Sequence, residues 1–182
     1  MARRTVVTAR TFAQAFGIAV AALAATAVLS VPSAEAAPRL IETHRDWQAF
    51  MDEGNGQKTC FVISKPTQSA MNPAGRRRGP AFIFVTNRPG ENVKEEISVV
   101  FGYPLAANST RAEIGSTTFQ LFAQDETAWV QNAADEPNMV TAMRAGSSMR
   151  VFGTSSRGTT TVDTYSLSGI TAALRSAASA CG

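Results

Sequence analysis

The chain has 182 residues, 17 Lys and Arg against 14 Asp and Glu, one His and two Cys. That length suits a single domain with a real core once a short leader is set aside. The formal charge is only +3, and a general nucleic-acid role, which wants a strongly basic face, loses its support.

The charge excess itself is concentrated at the start. Arg3, Arg4 and Arg10 form a positive region, and no charge follows from Thr11 to Val31. The densest apolar part, from Ala15 onward, ends in Val31-Pro32-Ser33-Ala34-Glu35-Ala36, with Ala34 and Ala36 at the two small-residue positions of a signal-peptidase site. This order predicts a signal peptide over residues 1–36, cleaved after Ala36. A retained anchor would need about 20 apolar residues, and this stretch contains Gln14 and stops at Pro32. No stable membrane span is expected after cleavage. Three Arg and Glu35 give residues 1–36 a net of +2, so residues 37–182 carry about +1 (3 − 2).

The remainder reads as one mainly β domain. Short alternating runs broken by Gly, Pro and Asn predict strands at Asp46–Met51, Lys58–Lys65, Ala81–Asn87 and Glu96–Tyr103. The run Ala81–Asn87 is apolar on both faces, which marks a central strand. Pro66 to Pro80, with three consecutive Arg, is predicted as a long exposed loop. Strands continue through Arg111–Ile114, Thr118–Ala123 and Thr127–Gln131. A short helix near 137–145 opens at Glu136-Pro137, carries Met139, Val140 and Met143 on one stripe, and stops at Gly146. Two strands follow, Ser148–Thr154 and Thr159–Leu167. Ser168 is expected to cap a C-terminal helix near 168–177, with Ile170, Ala173 and Leu174 inward. The spacing predicts an antiparallel β-sandwich or a small barrel. Cys60 and Cys181 are the only cysteines, and in an oxidising compartment such a pair forms a disulfide. It would tie the last helix to the second predicted strand.

Few residues of the chain are arranged for catalysis. His44 is the only histidine; it is expected as a solvated residue of a mobile N-terminal segment, with no nucleophile near it in sequence. One His and two oxidised Cys do not make a zinc site. Gly153 to Thr159 resembles a phosphate loop in composition but lacks the Lys, and a hairpin turn is expected there. Asp163 and Tyr165 share a strand face, which suits a structural hydrogen bond. Trp47 and Trp129 read as core anchors. No catalytic residue, metal or cofactor is assigned. Arg76, Arg77 and Arg78 stand out as a partner-binding candidate, suited to an acidic partner, a lipopolysaccharide phosphate or a membrane surface.

The runs Gly153-Thr154-Ser155-Ser156-Arg157-Gly158-Thr159, Asp163-Thr164-Tyr165-Ser166-Leu167-Ser168-Gly169 and Ala172-Ala173-Leu174 resemble the end of the invasion-associated locus B family. Asp46-Trp47 followed by Cys60-Phe61-Val62-Ile63-Ser64, and Phe119-Gln120-Leu121-Phe122 with Ala128-Trp129-Val130, are similar to its earlier motifs. The resemblance implies an exported protein of alphaproteobacterial type, periplasmic or on the outer surface, with no enzymatic activity. The pathogen-type members have further cysteines; here Phe50 and Met51 occupy the first such region.

The expected function is thus a non-catalytic envelope protein that binds a protein or an envelope component. The alternatives are a small-molecule or lipid carrier built on a barrel, and a hydrolase using a Ser or Thr with Asp163.

Overall fold

A computed structural model describes residues 37–182. The signal peptide expected over residues 1–36, with Ala34 and Ala36 at its expected cleavage site, lies outside the described residues. The domain has eleven strands and two α-helices: β1 Arg39–His44, β2 Trp47–Asp52, β3 Thr59–Ser64, β4 Gln68–Asn72, β5 Phe82–Arg88, β6 Val93–Val100, β7 Thr110–Ile114, β8 Thr117–Gln124, β9 Thr127–Val130, α1 Glu136–Ala145, β10 Ser148–Thr154, β11 Thr160–Ser166 and α2 Ile170–Cys181.

All the strands belong to one antiparallel sheet in the order β1-β2-β3-β5-β6-β9-β8-β7-β10-β11-β4. The expected mainly antiparallel β fold with one short and one C-terminal helix is what the chain adopts; its strands hydrogen-bond into a single sheet that is not closed into a barrel. The sheet curls without closing, and its connectivity forces the curl. β3 and β4 stand far apart in the order yet are joined by only Lys65, Pro66 and Thr67, so the β11–β4 edge must return toward β3. Two bonds record that return: Trp47 Nε1 donates to Ser166 O at 2.9 Å, and Asp46 N donates to Ser168 O at 3.3 Å.

Strict alternation decides what fills the curl. Cys60 and Val62 on β3, Ile83 and Val85 on β5, and Ile97 and Val99 on β6 are fully buried, while their neighbours face outward. The concave side is completed by helices. α2 contributes Ile170, Ala173, Leu174 and Ala177, and α1 contributes Met139, Val140 and Met143, all to one cluster that includes the fully buried Trp47. The interior is a packed core of side chains, as dense interiors are. Cys60 and Cys181 are bonded, with Cα atoms 5.8 Å apart, which fixes the end of α2 to β3.

Several elements differ from the expectation. β1 and β4 carry no apolar alternation, because they are the sheet's two edges. β4 falls inside the stretch predicted as a loop, where it pairs with β11 from Gln68↔Thr164 to Asn72↔Thr160. Ser168 is not the cap of α2: Gly169 is, at φ 98°, where the backbone of His44 approaches too closely for any Cβ. α2 also runs on to Cys181, so the cysteine ends the helix and does not follow it. Gly146 ends α1 as expected, but at φ −84°; its lack of a side chain serves packing, since a Cβ would meet Ile114 at 2.9 Å.

Candidate functional site

The three consecutive arginines do not act alike. Gly79 N donates to Gly102 O at 2.8 Å, and Gly102 sits at φ +73°, where a Cβ would fall 2.6 Å from the Gly79 carbonyl carbon. Only glycine meets both conditions. This contact pins residue 79 against the chain leaving β6 and turns Arg78 inward, onto the paired Ser69 of β4 and Asp163 of β11.

There Arg78 meets Asp163. Nη1 donates to Oδ2 at 2.6 Å and Nη2 to Oδ1 at 2.5 Å, a two-bonded fork of the strong kind. Ser69 Oγ donates to Oδ1 at 2.6 Å, and Arg78 Nη1 also reaches Phe101 O at 3.4 Å. The Arg78 and Asp163 side chains are 10% and 1% exposed. Burial works against the guanidinium's charge, but the hydrogen bonds and charge of Asp163 outweigh it and hold Arg78 above its ordinary pKa. Beside the pair, Tyr103 Oη and Thr161 Oγ1 are 2.5 Å apart. Burial pushes the Tyr103 phenol up, with the Thr161 bond and Arg78 opposing. Burial is also the chief cause that drives Tyr165 upward, followed by the charge of Asp163. Asp163 does make a structural hydrogen bond, though not within its own strand face: its partners are Arg78 and Ser69, while Tyr165 Oη has no hydrogen-bond partner among the described residues.

Over this buried anchor opens a cleft of about 550 Å³, lined by Arg76, Arg77 and Arg157 together with Tyr103, Glu126 and Ser156. The volume falls within the range of small-molecule sites. Arg157 comes from the β10–β11 turn, which is the expected hairpin turn, closed by Ser155 N to Thr159 O at 2.8 Å. Arg76, Arg77 and Arg157 are exposed, and none has a carboxylate within 4.0 Å among the described residues. With Arg78 neutralised by Asp163, three arginines less Glu126 leave the cleft at about +2 (3 − 1). The sequence singled out Arg76 and Arg77; Arg157 was hidden in a turn, and the inward role of Arg78 depended on a partner 85 residues away.

His44 also departs from expectation. It ends β1 with its side chain 18% exposed, its Nε2 lies 3.1 Å from Glu42 Oε2, and Ser176 Oγ on α2 is 2.8 Å from the same nitrogen. Ser176 Oγ donates to Glu42 at 3.1 Å. A nucleophile–base–acid relay places the hydroxyl and the acid on different ring nitrogens, whereas here both meet Nε2. The cluster clamps edge strand β1 to α2.

Trp47 is a core anchor, but Trp129 lies on the outer face, stacked on Phe122 at 5.6 Å. The same face carries Phe50 stacked on Phe61 at 5.4 Å, and Phe84 at 5.9 Å from Phe61. No helix among the described residues is long and apolar enough to cross a membrane.

Compared with known protein families, the chain matches the model described as invasion associated locus B (IalB) protein over residues 47–178. No curated protein and no solved structure matches it.

Proposed function

The chain belongs to the invasion associated locus B family, and from that premise we propose that it is an exported, non-catalytic protein that binds another protein or an envelope component through the arginine-lined cleft. Membership supports an extracytoplasmic location, the general one for the family, and the Cys60–Cys181 bond suits an oxidising compartment. The observation that carries the binding reading is the contrast among the arginines. Arg78 is consumed by Asp163, while Arg76, Arg77 and Arg157 face an open cleft with excess positive charge. Such a cleft, held on a rigid sheet by a buried fork and a glycine–glycine contact, is organised to attract and orient an anionic group.

The test is retention on envelopes. Protein exported from its full-length gene is bound to isolated envelopes and washed at rising salt, beside the Arg76→Glu/Arg77→Glu/Arg157→Glu variant. Loss of retention in the variant supports the proposal. Equal retention overturns it.

A further inference from the structure

Resting on the reading that this cleft is the binding site, we propose that the group it takes is a phosphomonoester, presented either on a soluble molecule or on a lipid headgroup. The protein contains its own measure of what a carboxylate needs. Asp163 is satisfied by one guanidinium fork and one hydroxyl, from Arg78 and Ser69. The cleft offers three guanidinium groups, from two separate chain segments, with the hydroxyl of Ser156 among its lining. That is more donor capacity than two carboxylate oxygens can use. It suits a group with three outer oxygens, each able to accept from a planar fork. Charge points the same way: a phosphomonoester carries about −1.5 to −2 near neutral pH, which matches the cleft's about +2 (three Arg less Glu126), whereas one carboxylate leaves half of it unmet. The remaining lining is suited to the body that bears the phosphate. Tyr103, Pro104 and Met71 supply apolar wall, and the Tyr103 hydroxyl is held by Thr161, so its ring has a fixed place.

The experiment uses protein exported from the full-length gene with its disulfide intact. The probes are inorganic phosphate, phosphatidylcholine vesicles containing either phosphatidic acid or phosphatidylserine, and polyglutamate. Phosphatidic acid ends in a phosphomonoester; phosphatidylserine carries net negative charge without one. The expected result is binding to phosphatidic acid vesicles that exceeds binding to phosphatidylserine vesicles, and competition by inorganic phosphate. Arg76→Ala/Arg77→Ala/Arg157→Ala should weaken it by roughly tenfold or more, and the matching Lys variant should also weaken it, because charge survives but the forks do not. Unchanged tryptophan fluorescence shows that these exposed substitutions leave the fold intact. Binding of free phosphate without vesicle binding supports the same site with a soluble ligand. Equal binding to both vesicle types, removed by salt and unaffected by the Lys variant, overturns the proposal. So does binding of polyglutamate but not phosphate, and that outcome leaves the wider binding function standing. If no probe binds, the phosphate proposal fails, and the envelope retention of the Glu variant then decides whether the binding function fails with it.

Discussion

Replacing Arg78 with Met tests the buried anchor that supports the cleft. Met keeps much of the side chain's bulk but leaves the Asp163 carboxylate, 1% exposed, with the Ser69 hydroxyl as its one remaining side-chain donor. Removing one partner of a buried ion pair costs about 3–5 kcal/mol, chiefly because the other charge stays buried. Against a total stability of about 5–15 kcal/mol, that is a large share. With a urea slope near 2 kcal/mol per molar, the midpoint should fall by about 2 M. Arg78→Met/Asp163→Asn removes both charges and keeps an acceptor for Ser69, so it should recover about 2 kcal/mol or more of the loss. Urea denaturation followed by tryptophan fluorescence, with the disulfide intact in all four proteins of the cycle, measures the coupling. A single-variant loss under about 0.5 kcal/mol, typical of a surface site, or strict additivity of the two substitutions, would refute the reasoning.

Three further outcomes follow from the fold. Cys60→Ser/Cys181→Ser should lower stability by up to about 5 kcal/mol, because the bond spans 121 positions and limits the unfolded chain; an unchanged urea midpoint would contradict this. Gly102→Ala meets both a positive φ and the Gly79 backbone, whereas Gly158→Ala meets only a positive φ in open space. The second should cost about 1 kcal/mol and the first clearly more, with equal losses on thermal melting ruling out the glycine–glycine contact. Both tyrosines of the chain have phenols pushed up by burial. Unfolded phenols titrate at about 10, so the stability these groups contribute is fully present below that pH and is lost as pH climbs toward the raised folded values. Phenolate absorbance should therefore appear together with unfolding; a smooth titration at about 10 with tryptophan fluorescence unchanged would show the phenols to be accessible.

What could be read in the sequence tracks how local its physical cause is. The central strands announced themselves because alternation reports burial on one face: Phe61 and Ile63 face out while Cys60 and Val62 face in. α1 was legible from Pro137, the Met139-Val140-Met143 stripe and Gly146, all within one helix. The two cysteines admitted one pairing. β1 and β4 were not legible, since an edge strand is exposed and its polar residues look like loop. Gly169 took the cap position from Ser168 because of His44, on a strand distant in sequence but packed against it. Trp129 has the composition of a core residue and the register of an outer one: it sits opposite Phe122 and Ser98. The site was least legible of all. Three adjacent arginines are equivalent in sequence, and only the approach of Gly102 to Gly79 and of Asp163 to Arg78 makes one an anchor and two a rim. Ser176 next to His44 likewise required the sheet's curl and the docking of α2.

The proposed binding function of the cleft requires a domain that works outside the cytoplasm with its disulfide formed. The most direct test is the intact mass of the protein recovered from cells expressing the full-length gene, before and after reduction. The expected mass is that of residues 37–182, lighter by two hydrogens before reduction than after it. A full-length mass with two free thiols would contradict it, because an uncleaved, reduced chain would have neither the compartment nor the covalent closure on which the binding function depends.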